Sequence, residues 1–201
     1  MKKSLILLLI LCFTCTLLFG CNSAPESTAP TTTEVTDPLL GKGYYVEFNA
    51  YTTNSGHPND EALYCLTPDF HLIFASTNQL AKLEPWDFDA TEFTTICTDY
   101  GYWQDKFNPE YICKNIDKAW KGQFYESAAC YLLQLKDGML MLAHCAITAE
   151  GNYITRTEII KESCSQAEYF SYWHNKWQSR RFSENGAASY EKWQKIYNRF
   201  N

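Results

Sequence analysis

Apolar stretches separated by short polar turns predict an antiparallel meander between residues 124 and 161. The dipeptide Asp137-Gly138 lies between two apolar runs, 129–135 and 139–145, and Asp-Gly is favoured in two-residue type I′ hairpin turns. Residues 149–152 are a second turn signal, after which an alternating strand runs to residue 160. The pattern therefore predicts consecutive antiparallel strands.

The predicted two-residue turn also determines which side chains face each other across the first hairpin. In that register Cys130 lies directly opposite Cys145, at the Cα separation of about 4.5 to 5.5 Å that opposed strand residues have. A disulfide can bridge this distance, so Cys130 and Cys145 are the disulfide candidates. Two buried free thiols packed side by side are the alternative, because free cysteine packs as a small hydrophobic residue.

Helical periodicity replaces the strand pattern near residue 165. Ser165 and Glu168 have the spacing of a capping box, which predicts a helix that continues to about Phe182. Asn185-Gly186 ends this helix. A last helix is predicted from about Ala187, and its spacing places four aromatic side chains on one stripe, namely Tyr190, Trp193, Tyr197 and Phe200.

The preceding part of the chain repeats this order of strands followed by two helices. A strand is predicted over 44–53 and a hairpin over 62–76. A helix is predicted over about 89–107, with a strand as the alternative, and a second helix runs from Pro109 to Gly122. These elements predict an α+β domain over residues 39–201, with antiparallel hairpins or a meander packed against helical pairs.

An echoed hexapeptide suggests that the domain is an internal duplication. "YWQDKF" at 102–107 and "YWHNKW" at 172–177 share Tyr, Trp and Lys at the same positions, and Trp120 then aligns with Trp193. The two repeats would be residues 39–122 and 123–201. Chance matches are the alternative, because aromatic residues make up 16% of the chain.

The first residues have the character of an export signal. Two lysines precede an uncharged, Leu/Ile-rich run over residues 5–19. Leu18-Phe19-Gly20-Cys21 resembles the lipobox of bacterial lipoproteins, and the resemblance implies that residues 1–20 are removed and that Cys21 carries a diacylglyceryl group. An uncleaved membrane anchor is the alternative, although the run is shorter than the roughly 20 residues that span the hydrocarbon of a bilayer.

Residues 22–38 contain Ser, Thr, Pro and acidic residues with almost no large apolar side chain, which predicts a disordered tether. Together with Cys21, they make 21–38 a lipidated, flexible segment. We therefore expect the protein at the extracytoplasmic face of a bacterial cell membrane, or at an outer membrane, where the diacylglyceryl anchor holds it.

The charge distribution argues against a nucleic-acid partner. The whole chain has a net charge of −6 and an isoelectric point of about 5.2, whereas nucleic-acid binding requires a basic face. Residues 163–201 are the exception, with more basic than acidic side chains. A solvated helical surface and contact with anionic lipid or another polyanion are the two interpretations of this basic end.

One polar loop contains the candidates for catalysis. His57 lies close in sequence to Asp60 and Glu61, which makes these residues the candidate general base or metal ligands. No Gly-x-Ser-x-Gly elbow, phosphate-binding glycine loop or HExxH motif accompanies them, and no Cys/His spacing matches a zinc site. We expect no metal and no cofactor, and a solvated turn is the alternative role of the loop.

The aromatic content gives the main functional expectation. Exposed Trp and Tyr stack on sugars and dominate protein interfaces, although the helical spacing of Trp173 favours a place in the core. We expect a non-catalytic binding or interaction module whose partner is an envelope protein or a glycan. The alternative is an extracytoplasmic hydrolase of cell-envelope polymers that acts through His57, Asp60 and Glu61.

Overall fold

The part of the chain that the structure describes contains eight antiparallel strands that close into a barrel. The structure is a computed structural model and describes residues 37–47, 61–98, 109–149 and 151–201; Thr36–Asn201 form one compact unit. The strands are β1 Lys42–Glu47, β2 Tyr64–Leu66, β3 His71–Phe74, β4 Gln79–Pro85, β5 Ile116–Tyr125, β6 Ala128–Leu135, β7 Leu140–Thr148 and β8 Gly151–Ser165.

The predicted α+β class is wrong, because the strands form one closed sheet. Each strand pairs with its neighbours in sequence, and β8 returns to pair with β1. Tyr44 lies opposite Tyr64 on one side of β1, and Val46 lies opposite Ile160 on the other. Closure gives every described strand two hydrogen-bonded neighbours. The pairing of β1 with β8 joins positions far apart in the chain, and no local pattern predicts it.

Helices accompany the barrel in two pairs, α1 Ala90–Thr98 with α2 Pro109–Asn115, and α3 Gln166–Arg180 with α4 Gly186–Phe200; a 3-10 turn spans Ala75–Thr77. Helix α3 confirms the predicted capping box. The Ser165 hydroxyl accepts a hydrogen bond from the Glu168 N–H, and the Glu168 carboxylate accepts one from the Ser165 N–H. The predicted last helix is also confirmed as α4, in which Trp193 is buried.

Strands β6 and β7 are buried on both faces. Their alternate residues Cys130, Leu132, Leu140 and Leu142 join the apolar cluster that also holds Tyr44, Leu72 and Leu83. The intervening residues Tyr131, Leu133, Met141 and Ala143 join a second cluster with Phe93 of α1 and Ile112 of α2. Because adjacent residues of a strand point to opposite faces, the first set lines the barrel interior and the second lies under α1 and α2. Burial on both faces explains the continuous apolar runs.

Two tryptophans of "YWHNKW" attach α3 to the barrel. Trp173 Nε1 donates a hydrogen bond to the carbonyl oxygen of Ala62 at 2.8 Å, and Trp177 Nε1 donates to that of Ala75 at 2.9 Å. Both side chains are buried. His174 packs against α4, where its ring centroid lies 4.2 Å from that of Tyr197. The hexapeptide therefore stabilises the packing of two helices against the sheet.

Gly43 of β1 allows the helix to approach this closely. A Cβ atom added at Gly43 would lie 2.6 Å from the Cys164 sulfur and 3.2 Å from Tyr169, a buried residue of α3. Real Cβ atoms do not approach a neighbour to 2.6 Å, so a side chain at position 43 would displace the Cys164 sulfur and crowd the Tyr169 side chain.

Strand β5 replaces the second half of a predicted helix. Helix α2 ends at Asn115, and Ile116–Tyr125 pair with β4 and β6, whereas the helical spacing predicted a helix to residue 122. Pairing on both sides satisfies the backbone hydrogen-bonding groups and outweighs the local periodicity. Trp120 consequently lies in a strand and Trp193 in a helix, so their predicted equivalence is wrong. The hexapeptide at 102–107 lies outside the described residues.

The predicted register of the β6–β7 hairpin is wrong by one residue. The loop has three residues, 136–138, because the Leu135 N–H donates to the Met139 carbonyl and Gly138 occupies the left-handed region at φ +84°. Cys130 therefore lies opposite His144, and Ala129 lies opposite Cys145. A shift of one residue moves a side chain to the other face, so Cys130 faces the interior cluster and Cys145 the outer one.

The two cysteines of that hairpin are free thiols. With the sulfurs on opposite faces of the sheet, the geometric basis for a Cys130–Cys145 disulfide is lost. Burial raises the pKa of each thiol to about 12, because an apolar environment disfavours the thiolate. Both side chains therefore act as small apolar groups of the core.

Candidate functional site

The end of the barrel at which β3, β5 and β7 stop and β4, β6 and β8 begin contains a pocket of about 490 Å³, which we call the barrel mouth. Aromatic rings and small side chains make up most of its wall, with a few hydroxyl and amide groups among them. The lining residues are Phe74, Thr77, Gln79, Phe124, Tyr125, Ser127, Ala128, Ala129, His144, Cys145, Ala146 and Thr155.

Beneath the barrel mouth lies a group of three hydrogen-bonded polar side chains, Tyr64, His144 and Glu158. The Tyr64 hydroxyl donates to Glu158 Oε2 at 2.5 Å. His144 Nε2 lies 3.0 Å from the Tyr64 oxygen and 3.3 Å from Glu158 Oε2. Tyr64 is 0% and Glu158 1% exposed, whereas the His144 side chain is 13% exposed. His144 is therefore the member of the group that a molecule in the pocket can touch.

The barrel register brings these residues together from three different strands. Glu158 of β8 lies opposite Leu142, an interior residue of β7, and His144 follows Leu142 by two positions on the same face. Tyr64 of β2 lies opposite Tyr44 and Phe74, which are also members of the interior cluster. All three side chains therefore point into the barrel, although they are far apart in sequence.

The hydrogen-bond pattern determines how the protons are placed. A buried carboxylate is costly unless donors reach it, and the Tyr64 hydroxyl supplies one. Because the Tyr64 proton points to Glu158, the Tyr64 oxygen acts as the acceptor towards His144, which requires a proton on His144 Nε2. The Phe124 ring stacks on the imidazole with centroids 6.0 Å apart and an interplanar angle of 14°. This arrangement can orient a polar group and exchange a proton with it.

Of the three predicted catalytic candidates, Glu61 lies within the described residues. Glu61 is 9% exposed and forms an ion pair with Lys176 of α3, whose ammonium also lies 4.8 Å from the Trp173 ring centroid. It is not among the residues that line the barrel mouth. His57 and Asp60 lie outside the described residues. The structure therefore places Glu61 at a helix–barrel contact.

Sequence reasoning missed Tyr64, His144 and Glu158 as a group. Two features of the sequence are consistent with the group once the fold is known. His144 is a polar residue in the apolar run of β7, and Glu158 is an acidic residue among the apolar residues and threonines of β8. Neither signal identifies its partners without the barrel register, because a lone histidine or glutamate in a strand can equally face solvent.

A larger pocket, of about 830 Å³, lies at the opposite end of the barrel, beside the β6–β7 turn. Its charged lining residues are Asp137, Lys161 and Glu162, which are exposed. The buried tyrosine of its wall, Tyr44, donates its hydroxyl to the carbonyl oxygen of Leu39. Because none of the described residues that line this pocket is a buried carboxyl group, we take the barrel mouth, which lies above Glu158, as the candidate site.

Metal ligands do not cluster in the described ranges: no three His, Cys, Asp or Glu side chains come together there in a way that could hold a metal ion. Among the same residues, none of the helices has the length and apolar character needed to cross a bilayer.

Comparisons with known proteins identify no relative. No protein-family model, no curated protein and no solved structure matches this chain at a significant level. The function must therefore be argued from the barrel mouth and the sequence.

Proposed function

We propose that this chain is a lipid-anchored, extracytoplasmic binding protein that holds a small ligand in its barrel mouth. The observation that carries the proposal is the pocket of about 490 Å³ above Tyr64, His144 and Glu158. Sites for small molecules have volumes of about 300 to 1,000 Å³, mostly apolar walls and a few convergent polar groups. Barrels of this strand number are wide enough to hold one such ligand.

The side chains of the barrel mouth suit the binding of a small molecule that contains a ring. Phe124 and Tyr125 give flat apolar surfaces for a ring, and Tyr125 is 54% exposed at the rim. His144 supplies a polar contact at the base, held in one orientation by its hydrogen bonds to two buried partners. A rigid polar group at the base of an apolar pocket determines the orientation of a ligand.

A pocket-filling substitution tests this proposal. Ala146 is a half-buried lining residue of the mouth, so Ala146→Phe should occupy the space that the ligand needs. We expect protein purified from its native envelope to release a small molecule on denaturation, detected by mass spectrometry, and the variant to release at least tenfold less, since the lost contacts should exceed about 1.4 kcal/mol.

The matched control is Ala167→Phe, which adds the same ring on the exposed surface of α3 and should leave the released amount unchanged. Equal release from Ala146→Phe and wild type would show that the ligand binds elsewhere. Wild-type protein that carries no small molecule would also contradict the proposal.

The membrane location is tested separately. Two acyl chains on Cys21 would give stable anchoring, because each buried methylene contributes about 0.8 kcal/mol. Cys21→Ser should leave the chain unprocessed or release it from the membrane, which fractionation and the apparent mass of the chain will show. Membrane retention at the mature mass in the variant would rule out lipidation at Cys21.

A further inference from the structure

The pair of helices α3 and α4 carries positive charge in a protein that is acidic overall. Residues 163–201 contain six basic and three acidic side chains, whereas the whole chain has a net charge of −6. Basic residues lie around the turn between the two helices and on a stripe of α4 with the spacing i, i+3 and i+7. The exposed members, which together we call the basic face, are Arg180, Arg181, Lys192, Lys195 and Arg199.

The charges of the basic face are not neutralised within the fold. In the described part of the chain, none of its five side chains forms an ion pair with a carboxylate, including those of the neighbouring Glu184 and Glu191. Lys176 of the same helix pair, in contrast, is paired with Glu61. The basic face can therefore attract anions from outside the protein.

An exposed aromatic ring lies next to the basic face. Phe182 is 81% exposed, more than any other large hydrophobic side chain in the described ranges. The guanidinium carbon of Arg181 lies 4.4 Å from the centroid of the Phe182 ring. This contact leaves most of the ring in solvent. An apolar ring among basic groups is typical of protein surfaces that lie at the boundary between lipid head groups and acyl chains.

Stabilisation of the helix ends explains part of this surface. Arg180 and Arg199 lie in the last turns of α3 and α4, where a cation interacts favourably with the helix dipole. Arg199 also contacts the barrel, with its guanidinium nitrogen 3.1 Å from His71 Nε2. Neither explanation applies to Lys192 and Lys195, which lie in the middle of α4, or to the exposed ring. These side chains are available to a partner.

The predicted tether enters the domain beside the same helices. The Gln166 N–H, at the start of α3, donates a hydrogen bond to the Gly41 carbonyl oxygen at 3.0 Å. The Gln166 side-chain amide donates to the carbonyl oxygen of Phe200, at the end of α4, at 2.7 Å. Helix α4 is about 22 Å long, whereas an extended tether over 22–38 spans about 50 Å. An anchor at Cys21 would therefore allow the basic face to reach the bilayer.

We propose that the basic face binds the anionic lipid head groups of the membrane to which Cys21 anchors the chain. The proposal rests on the lipid anchor of the proposed function and adds a second contact with the same bilayer. Each basic side chain near an anionic surface strengthens binding about fivefold. The acidic remainder of the domain does not prevent this contact, because charges more than about 8 Å from the head groups are largely screened at physiological ionic strength.

Hydroxyl-radical labelling of the anchored protein tests this contact. Protein purified from its native envelope is reconstituted into vesicles of phosphatidylcholine alone and into vesicles that also contain phosphatidylglycerol. We expect Phe182 to be oxidised at least about fivefold more slowly on the anionic vesicles, as measured by mass spectrometry of its peptide. Tyr111 is the internal control. It is 45% exposed on α2, and its oxidation rate should be the same on both kinds of vesicle.

Two double variants remove the same charge from different surfaces. Lys192→Gln with Lys195→Gln removes two members of the basic face, so oxidation of Phe182 on anionic vesicles should become severalfold faster and approach the rate on neutral vesicles. Lys114→Gln with Lys136→Gln removes two lysines of α2 and the β6–β7 loop and should leave the protection of Phe182 unchanged. All four lysines are exposed, so both variants should keep the fold.

The possible results separate the lipid contact from the lipid anchor. Equal oxidation of Phe182 on both kinds of vesicle, with the protein bound to each, would overturn the inference and leave the anchor in place. Equal loss of protection in the two double variants would show an effect of net charge alone and would also overturn it. Protein that binds neither kind of vesicle would instead contradict the lipid anchor of the proposed function.

Discussion

Replacement of Trp173 by alanine is expected to destabilise the protein by about 3 to 5 kcal/mol, the range observed when a buried tryptophan or phenylalanine is truncated. Trp173 is 1% exposed and packs between α3 and the barrel. The substitution also leaves the carbonyl oxygen of Ala62 without the indole donor that lies 2.8 Å away. The free energy of unfolding, measured by urea denaturation of the purified protein, gives the result.

The neighbouring Tyr172 provides a matched control. It is also a large aromatic residue of α3, but it is 45% exposed. Tyr172→Ala should cost about 1 kcal/mol or less, as is usual for surface substitutions. Equal losses in the two variants would contradict the docking of α3 through Trp173.

Tyr64→Phe is expected to cost about 1.5 to 3 kcal/mol, since it removes a hydrogen bond to a charged group in the interior. The variant keeps the ring and loses only the hydroxyl, which donates to Glu158 at 2.5 Å. Without it, the buried carboxylate loses a donor and His144 loses a contact at 3.0 Å. Urea denaturation again measures the free energy of unfolding.

Two further Tyr→Phe variants make this test specific. The Tyr44 hydroxyl donates to a neutral carbonyl oxygen, that of Leu39, so Tyr44→Phe should cost about 0.5 to 1.5 kcal/mol. Tyr125 is 54% exposed, and Tyr125→Phe should have almost no effect on stability. A cost for Tyr64→Phe no greater than that for Tyr44→Phe would show that the contact with Glu158 contributes no special stabilisation.

Local patterns predicted the elements whose signals are local. The capping box of Ser165 and Glu168 begins α3, and the aromatic stripe that contains Trp193 forms α4. The apolar runs on either side of Asp137-Gly138 form β6 and β7. In each case the side chains that determine the element lie within a few residues of one another.

The predicted fold class was wrong because the fold depends on pairing between distant strands. Ile116–Tyr125 becomes a strand only when β4 and β6 are beside it, and the barrel closes only when Val46 meets Ile160. The predicted register of the β6–β7 hairpin was wrong for a local reason, because Gly138 belongs to a three-residue loop and not to a two-residue turn. One residue of difference moved Cys145 to the outer face.

Local sequence patterns could not predict the candidate site, because it also depends on pairing between distant strands. His144 and Glu158 meet across the paired strands β7 and β8, and barrel closure brings Tyr64 of β2 into contact with both. The sequence drew attention to His57, Asp60 and Glu61 because they are close together along the chain. Glu61 pairs with Lys176 of α3, whereas His57 and Asp60 lie outside the described residues, so their grouping with Glu61 stays a prediction.

The measurement that tests the binding site most directly is the ring ¹⁵N NMR spectrum of the histidines during titration with the small molecule that the purified protein releases, used as the probe. We expect a protonated Nε2 at His144 and a saturable change of its ring resonances, while His71 and His174, which do not line the barrel mouth, remain unchanged. Unchanged His144 resonances at saturating probe would contradict a ligand site in the barrel mouth.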